Sequence, residues 1–432
     1  MRLFTGLLLC CAAFPADDDW LRWRGPNFDG VARGDAPVEW SATKNIAWKI
    51  PIPGRGFSSP ILWGDKLFLT TAVPSSAEPA AAESSGEPRR GPGGGAGVGR
   101  EHKFVVLCLD RKTGKTIWER VATTTTPHEG YHARYGSFAS NTPATDGKYL
   151  YAFFGSRGLY AYDLDGKLIW KKDFPPMRMR LGFGEGVAPV VDGNTIYLKF
   201  DQEQGSYMLA LDKTTGKELW RVPRDEVSSW SEPLVVTHNG RKQVVVSAST
   251  KVRAYDPATG KLIWETGGLG SNVIPAPVRM GDLVYVMSGH REPNLLAVRL
   301  GREGDLTGTD AIVWKNDRGN SYTAAPVLHD SKLYFISDNG LLTCLNATTG
   351  EAYYKQQRLP KPYAFKSSPV SANGKLYLST EDDDVVVVKM GEKYEVLATN
   401  TLPDEMFIAT PAVAGGSIYL RGQSALYCIR NQ

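Results

Sequence analysis

LDKTTGKELW, residues 211–220, has three close copies in the chain: LDRKTGKTIW (109–118), YDLDGKLIW (162–170) and YDPATGKLIW (255–264), with LNATTGEAYY (345–354) as a divergent fifth. Self-similarity at a fixed period is the signature of a repeat architecture and outranks single motifs when a fold is assigned. In each copy an apolar strand ends at Asp or Asn, turns through Gly and resumes as a strand carrying Trp or Tyr. Gly supplies the positive φ of the turn, and Asp and Thr side chains bond the turn backbone. The Trp is placed to pack between neighbouring units.

Working outward, a small residue and Pro open an apolar run at Pro60, Pro143, Pro189, Pro233, Pro277, Pro326, Pro369 and Pro411. Period-2 alternation in stretches such as KLYFIS and KLYLST predicts half-buried strands. Each unit of about 45 residues reads as four short antiparallel strands, the size of one propeller blade. The last unit stops after its third strand, whereas KNIAWKI (44–50) supplies a spare Trp strand ahead of the first Pro. The expectation is an all-β, eight-bladed β-propeller of four-stranded antiparallel blades, the ring closed by pairing of the N-terminal and C-terminal strands, which removes exposed sheet edges.

Composition agrees. The 432 residues are 42% hydrophobic and 22% charged, and 45 Gly with 27 Pro favour turns over long helices. A net charge of +4 without a basic stripe gives no footprint for nucleic acid. The opening MRLFTGLLLCCAAFPADDDW reads as a secretory signal over 1–16, with Cys10 or Cys11 as less favoured lipid acceptors. Residues 17–43 form a lead-in and 44–432 the propeller. Residues 74–100 are a low-complexity insertion in the first blade, expected to be disordered. No later stretch approaches a membrane-spanning length of about 20 apolar residues. The expected location is periplasmic or secreted. Cys108, Cys344 and Cys428 occupy matching contexts in different units and are expected as separate buried thiols.

At Ala210, Leu211, Asp212 and on to Trp220 the repeats resemble the A-x-D-x-x-T-G-x-x-x-W signature of the quinoprotein-like propeller family, over roughly residues 40–432. That family includes pyrroloquinoline-quinone (PQQ) dehydrogenases and a non-catalytic outer-membrane-protein assembly lipoprotein. WRGPNFDGVA (23–32), PHEGYH and FGEG look more like a group of exported PQQ-like repeat proteins of unassigned function. The resemblance to the dehydrogenases implies PQQ with calcium, and Glu185, Asn272, Asp317 and Arg318 lie in a similar order on the loops. The adjacent cysteine pair beside the quinone in many dehydrogenases is here found only at Cys10–Cys11.

Connections from the outer strand of one blade to the inner strand of the next ring one mouth of the channel, where ligand sites favour. They are long here, and bring together His128, His132, Arg134, Arg178, Arg180, Glu185, Trp230, Asn272, Asp317 and Arg318. The arginines with aromatic neighbours suit an anionic ligand or an acidic segment. The structural alternative pairs them with Asp225, Glu226, Glu232 and Glu185. His128-Glu129-Gly130-Tyr131-His132 matches the H-E-x-x-H zinc-peptidase pattern, but that pattern carries chemistry only on a helix, and Gly130 sits at its centre. His128 and His132 are therefore weak metal candidates. The sequence reading is an exported, non-catalytic, monomeric ring without a required cofactor, which binds an envelope protein or a small anionic or saccharide ligand at the rim. The alternative is a PQQ- and calcium-dependent dehydrogenase.

Overall fold

Strands radiate as blades around one axis in the computed structural model, which describes residues 18–76 and 95–432. Eight sheets form among the described residues, six of four strands and two of five. Blade 1 runs from the channel outward as Ile61–Trp63, Lys66–Pro74, His102–Asp110 and Thr116–Thr125, all antiparallel. The Pro-led strand is innermost and the Trp-bearing strand outermost, as the repeat predicts. Closure occurs where expected: Ile46–Pro51 pairs antiparallel with Ala425–Arg430, setting Trp48 opposite Cys428.

The repeat signature is explained at the junctions between blades. Five outer-strand tryptophans lie over the turn glycine of the following blade, Trp118 over Gly166, Trp170 over Gly216, Trp220 over Gly260, Trp314 over Gly350, and Trp48 over Gly114 across the closure, while Trp264 of blade 4 donates instead to Gln243 Oε1. A Cβ on any of these glycines would fall 2.7–2.9 Å from the indole. The indole N–H then donates to a carbonyl of the same turn, as from Trp118 to Leu164 (3.1 Å) and from Trp220 to Pro257 (2.9 Å). Asp110 Oδ1 accepts from the Thr113 amide and hydroxyl, and Asp256 does the same with Thr259. Cys108, Cys344 and Cys428 are buried free thiols, and burial pushes the first two up to about 12.

Two short parallel strands add to the four-strand pattern. Gly304–Asp305 extends blade 4 at Leu262–Thr266, and Val31–Ala32 joins the innermost strand of blade 7, Val370–Ala372. The second belongs to the lead-in, which dips into the channel. Trp20 pairs with Leu62 of blade 1, the Leu21 carbonyl accepts from Thr145 of blade 2, and Arg22 donates to the Val191 carbonyl of blade 3. Asp19 Oδ1 also accepts from Gly64, in the inner-hairpin turn at the mouth away from the long connections. Deeper in, Trp23 donates to Thr410 Oγ1 and Arg24 to the Pro326 carbonyl. The chain leaves past blade 7, where the Tyr377 hydroxyl donates to Ala36 and the Trp40 amide to Asn400.

The insertion needs a boundary correction. Pro74 still pairs with His102 in the ladder, and Gly95–Arg100 is ordered, with Ala96 bridging Tyr131 and Gly97 against Phe138. Residues 77–94 of the stretch expected to be disordered, and the signal over 1–16, lie outside the described residues.

Candidate functional site

With the lead-in occupying the far end of the channel, the mouth ringed by the long connections opens into a blind cavity of about 330 Å³. Volumes of this order suit a small ligand or a few side chains. Its floor includes Trp23 of the lead-in, and Phe57, Phe183, Trp230, Tyr135 and Tyr322 supply aromatic wall. The neck is set by the residue before each blade-opening proline. These are Ser59, Thr142, Ala188, Glu232, Ala276, Ala325, Ser368 and Thr410. Their side chains tie adjacent blades: Ser59 N–H donates to Thr142 Oγ1 (2.9 Å), Ala325 N–H to Ser368 Oγ (2.9 Å) and Ser368 N–H to Thr410 Oγ1 (3.3 Å). Between blades 3 and 4 the equivalent Ala188 N–H faces the Glu232 carboxylate and favours its charged form.

Three of the ten sequence candidates border this cavity: His132, Glu185 and Trp230. His132 lies stacked on Tyr135 (4.8 Å between ring centroids) and tilted against Phe183, with its Nδ1 accepting from the Tyr135 amide. Burial, then the charge of Lys366, lowers its pKa, so the ring is neutral at pH 7. Glu185 accepts from Arg157 (2.7 Å) and from the amide and hydroxyl of Ser156, and the Arg157 and Glu185 side chains are both 7% exposed. Trp230 is fixed by its indole N–H on the Gly184 carbonyl.

The other seven do not border the cavity. His128 is exposed, its Nε2 against the Met177 carbonyl at 2.7 Å. Arg134, also exposed, pairs with Glu381 (3.2 Å). Arg178 and Arg180 are placed by their backbones, which donate to Gln202 and Ser228. Asn272 is buried with φ +57°, its amide 3.5 Å from the Tyr322 hydroxyl. Asp317 and Arg318 project from an exposed loop. The sequence-based pairing is corrected too. Asp225 and Glu226 bind Arg253 and Glu185 binds Arg157, while among the described residues Glu232 forms no ion pair.

Reading Glu232 only as a structural partner of the arginines, sequence reasoning placed neither it nor Lys366 at the cavity. Lys366 borders it, 2.7 Å from Asp338, 3.5 Å from Glu381 and 4.7 Å above the Tyr135 ring. Burial works against its ammonium, but Asp338 and Glu381 outweigh it and hold the pKa above the usual lysine value. Glu232 is the other. Burial pushes its pKa up to about 7, against the N–H bonds from its own backbone and Ala188 and the more distant charges of Lys199 and Arg24. The signal was in the sequence: SEP is the one charged member of a series otherwise reading SSP, NTP, VAP, PAP, AAP, SSP and ATP.

The HEGYH stretch is not helical. Among the described residues no group of three or more His, Cys, Asp or Glu is arranged to hold a metal. The residues matched to a calcium–PQQ site by order along the chain do not converge. The Glu185 carboxylate is consumed by Arg157 and Ser156, while Asp317 and Arg318 stand outside the cavity. This donor set does not fit the cofactor. No helix among the described residues is long and apolar enough to cross a membrane.

Comparison with known proteins follows the fold. The family described as outer membrane protein assembly factor BamB matches residues 102–356 and 305–393. An outer membrane protein assembly factor BamB of Legionella pneumophila is 22% identical over 49% of this chain and 51% of its own, so the match spans about half the length of that relative. The crystal structure of BamB from Moraxella catarrhalis superposes with a TM-score of 0.59 at 12% identity, covering 90% of this chain and 97% of that one. Quinohemoprotein alcohol dehydrogenase from Comamonas testosteroni gives 0.61 at 11% identity, covering 96% and 81%. At such identities the structural likeness establishes the ring of blades and nothing finer.

Proposed function

The chain belongs to the PQQ-like propeller family described as outer membrane protein assembly factor BamB, and from that premise we propose that it is an exported, non-catalytic propeller that binds a partner of the cell envelope in the blind cavity at its open mouth. One observation carries this reading: the lead-in occupies one end of the channel while the other is left as an aromatic-walled hollow. Aromatic walls supply contact area at low entropic cost and are the usual anchors of protein recognition. The walls are braced. Glu185, His132, Lys366 and Trp230 each have polar atoms committed to the protein itself, which suits a preformed binding surface.

The partner is a protein segment or small molecule engaged without turnover, in the periplasm or outside the cell, by a monomeric ring. Cross-linking through a photoreactive residue in place of Phe183, in intact cells of the source organism, tests this. The expected outcome is a discrete adduct that disappears with Trp230→Ala while the far-ultraviolet spectrum is unchanged. An adduct of undiminished yield in that variant contradicts the cavity as the site.

A further inference from the structure

The inter-blade bond at the channel neck needs only a hydroxyl. Ser59, Thr142, Ser368 and Thr410 occupy the pre-proline position with no charge to bury, and the last three accept the N–H of the preceding blade. Glu232 stands in the corresponding place opposite the Ala188 N–H, but adds a carboxylate that is only 8% exposed at the cavity wall. Burying a charge without a partner costs far more than burying a hydroxyl, so the packing role does not account for the residue.

Several charges near the cavity are paired within the protein, whereas Arg24, Arg55 and Arg421 bond only to carbonyl and hydroxyl oxygens. Lys366 faces Asp338 and Glu381, Glu185 faces Arg157, and Arg134 faces Glu381. Behind Glu232, Lys199 is 3.5 Å from Asp201, which also holds Arg224 (2.7 Å). Below it, Arg24 of the lead-in donates to the Asp29 and Pro326 carbonyls. Neither Lys199 nor Arg24 comes within ion-pair distance of Glu232, and each acts on it only through space. His132 is neutral, and Tyr135 and Tyr322 are held protonated by burial. A carboxylate facing aromatic rings across a confined hollow is the arrangement that recognises organic cations, through Coulomb attraction together with the negative faces of the rings.

We propose that the cavity takes an organic ammonium group, with Glu232 as its counter-ion and Trp230, Trp23 and the neighbouring rings as its walls. The inference rests on the cavity being the binding surface, and it names the chemistry of what enters. Small ammonium compounds and the side chain of a protein lysine share that chemistry. Cation capture requires the ionised carboxylate, so affinity falls as pH drops below 7, and binding under those conditions expels a proton.

Calorimetric titration of the intact protein at pH 8 with three probes of one shape tests the charge: choline, neutral 3,3-dimethylbutan-1-ol and anionic 3,3-dimethylbutanoate. Choline is expected to bind at least tenfold more tightly than either isostere. Glu232→Gln, which keeps the shape without the charge, and Glu232→Ser, which copies Ser368, should each weaken choline at least tenfold and abolish the pH dependence. N-acetyl-lysine amide distinguishes the sources: tighter binding than choline assigns a protein side chain, weaker binding a small molecule. Equal binding of choline and the neutral alcohol, preference for the anion, or no choline binding at 50 mM overturns the ammonium assignment. Those results leave the cavity itself to stand or fall on the cross-linking at Phe183.

Discussion

The two mouths of the channel are built from the same eight inner strands, yet one is filled and the other is open. The lead-in bonds to backbone groups of blades 1, 2, 3, 6 and 7 and to the Thr410 hydroxyl of blade 8. Around it a polar hollow of about 440 Å³ remains between Arg22, Asn27 and Asp29 and the inner hairpins of blades 3 to 5. At the near mouth the connections brace one another but leave the axis empty. The contrast separates stability from recognition: residues at the filled end are set for cohesion, and those at the open end are held apart from one another for a ligand.

The contrast breaks first at Trp20. It is 1% exposed in the core shared by blades 1, 7 and 8, and Trp20→Ala should cost about 3–5 kcal/mol, read by urea denaturation, with faster amide exchange at Leu62 and Thr145. A loss under about 1 kcal/mol would mean the lead-in is not part of the folded ring.

Next in size is Glu232→Gln, with the opposite sign. The folded-state pKa is raised from 4.5 to about 7, so between those values the folded protein binds more protons than the unfolded chain. Stability therefore falls as pH rises through that window, and the cost is complete above 7. Removing the charge should stabilise the protein by about 3 kcal/mol at pH 8 and by nothing at pH 4. Equal effects at both pH values would contradict the assignment.

Trp23→Phe removes the indole bond to Thr410 that joins lead-in to neck and should cost about 1 kcal/mol, measured by the same denaturation. Smallest of all, His128→Ala acts on an exposed side chain and should stay within about 0.5 kcal/mol, leaving zinc content at background in metal analysis.

The same contrast explains what could be read from sequence. The ring, its closure and the role of each Trp and Gly were legible because they recur, and LDKTTGKELW is a junction repeated around the axis. The path of residues 18–40 was not. It has no period, and many of its bonds go to carbonyls and amides whose identity leaves no trace in side chains. The site was half legible. The long connections lie at the mouth where the cavity opens, but their arginines do not border it. Five of the residues just before Pro border the cavity, Glu232 in SEP among them, whereas Arg178, Asp317 and Arg318 do not.

The central claim is that recognition belongs to the open mouth alone. Photoreactive residues at Phe183 in the open rim and at Gly193 in the inner-hairpin turn of the far mouth test it in parallel in intact cells. The account predicts one partner adduct from position 183, lost on Trp230→Ala, and none from position 193. The same adduct from position 193, or its persistence from position 183 in the Trp230 variant, would contradict it.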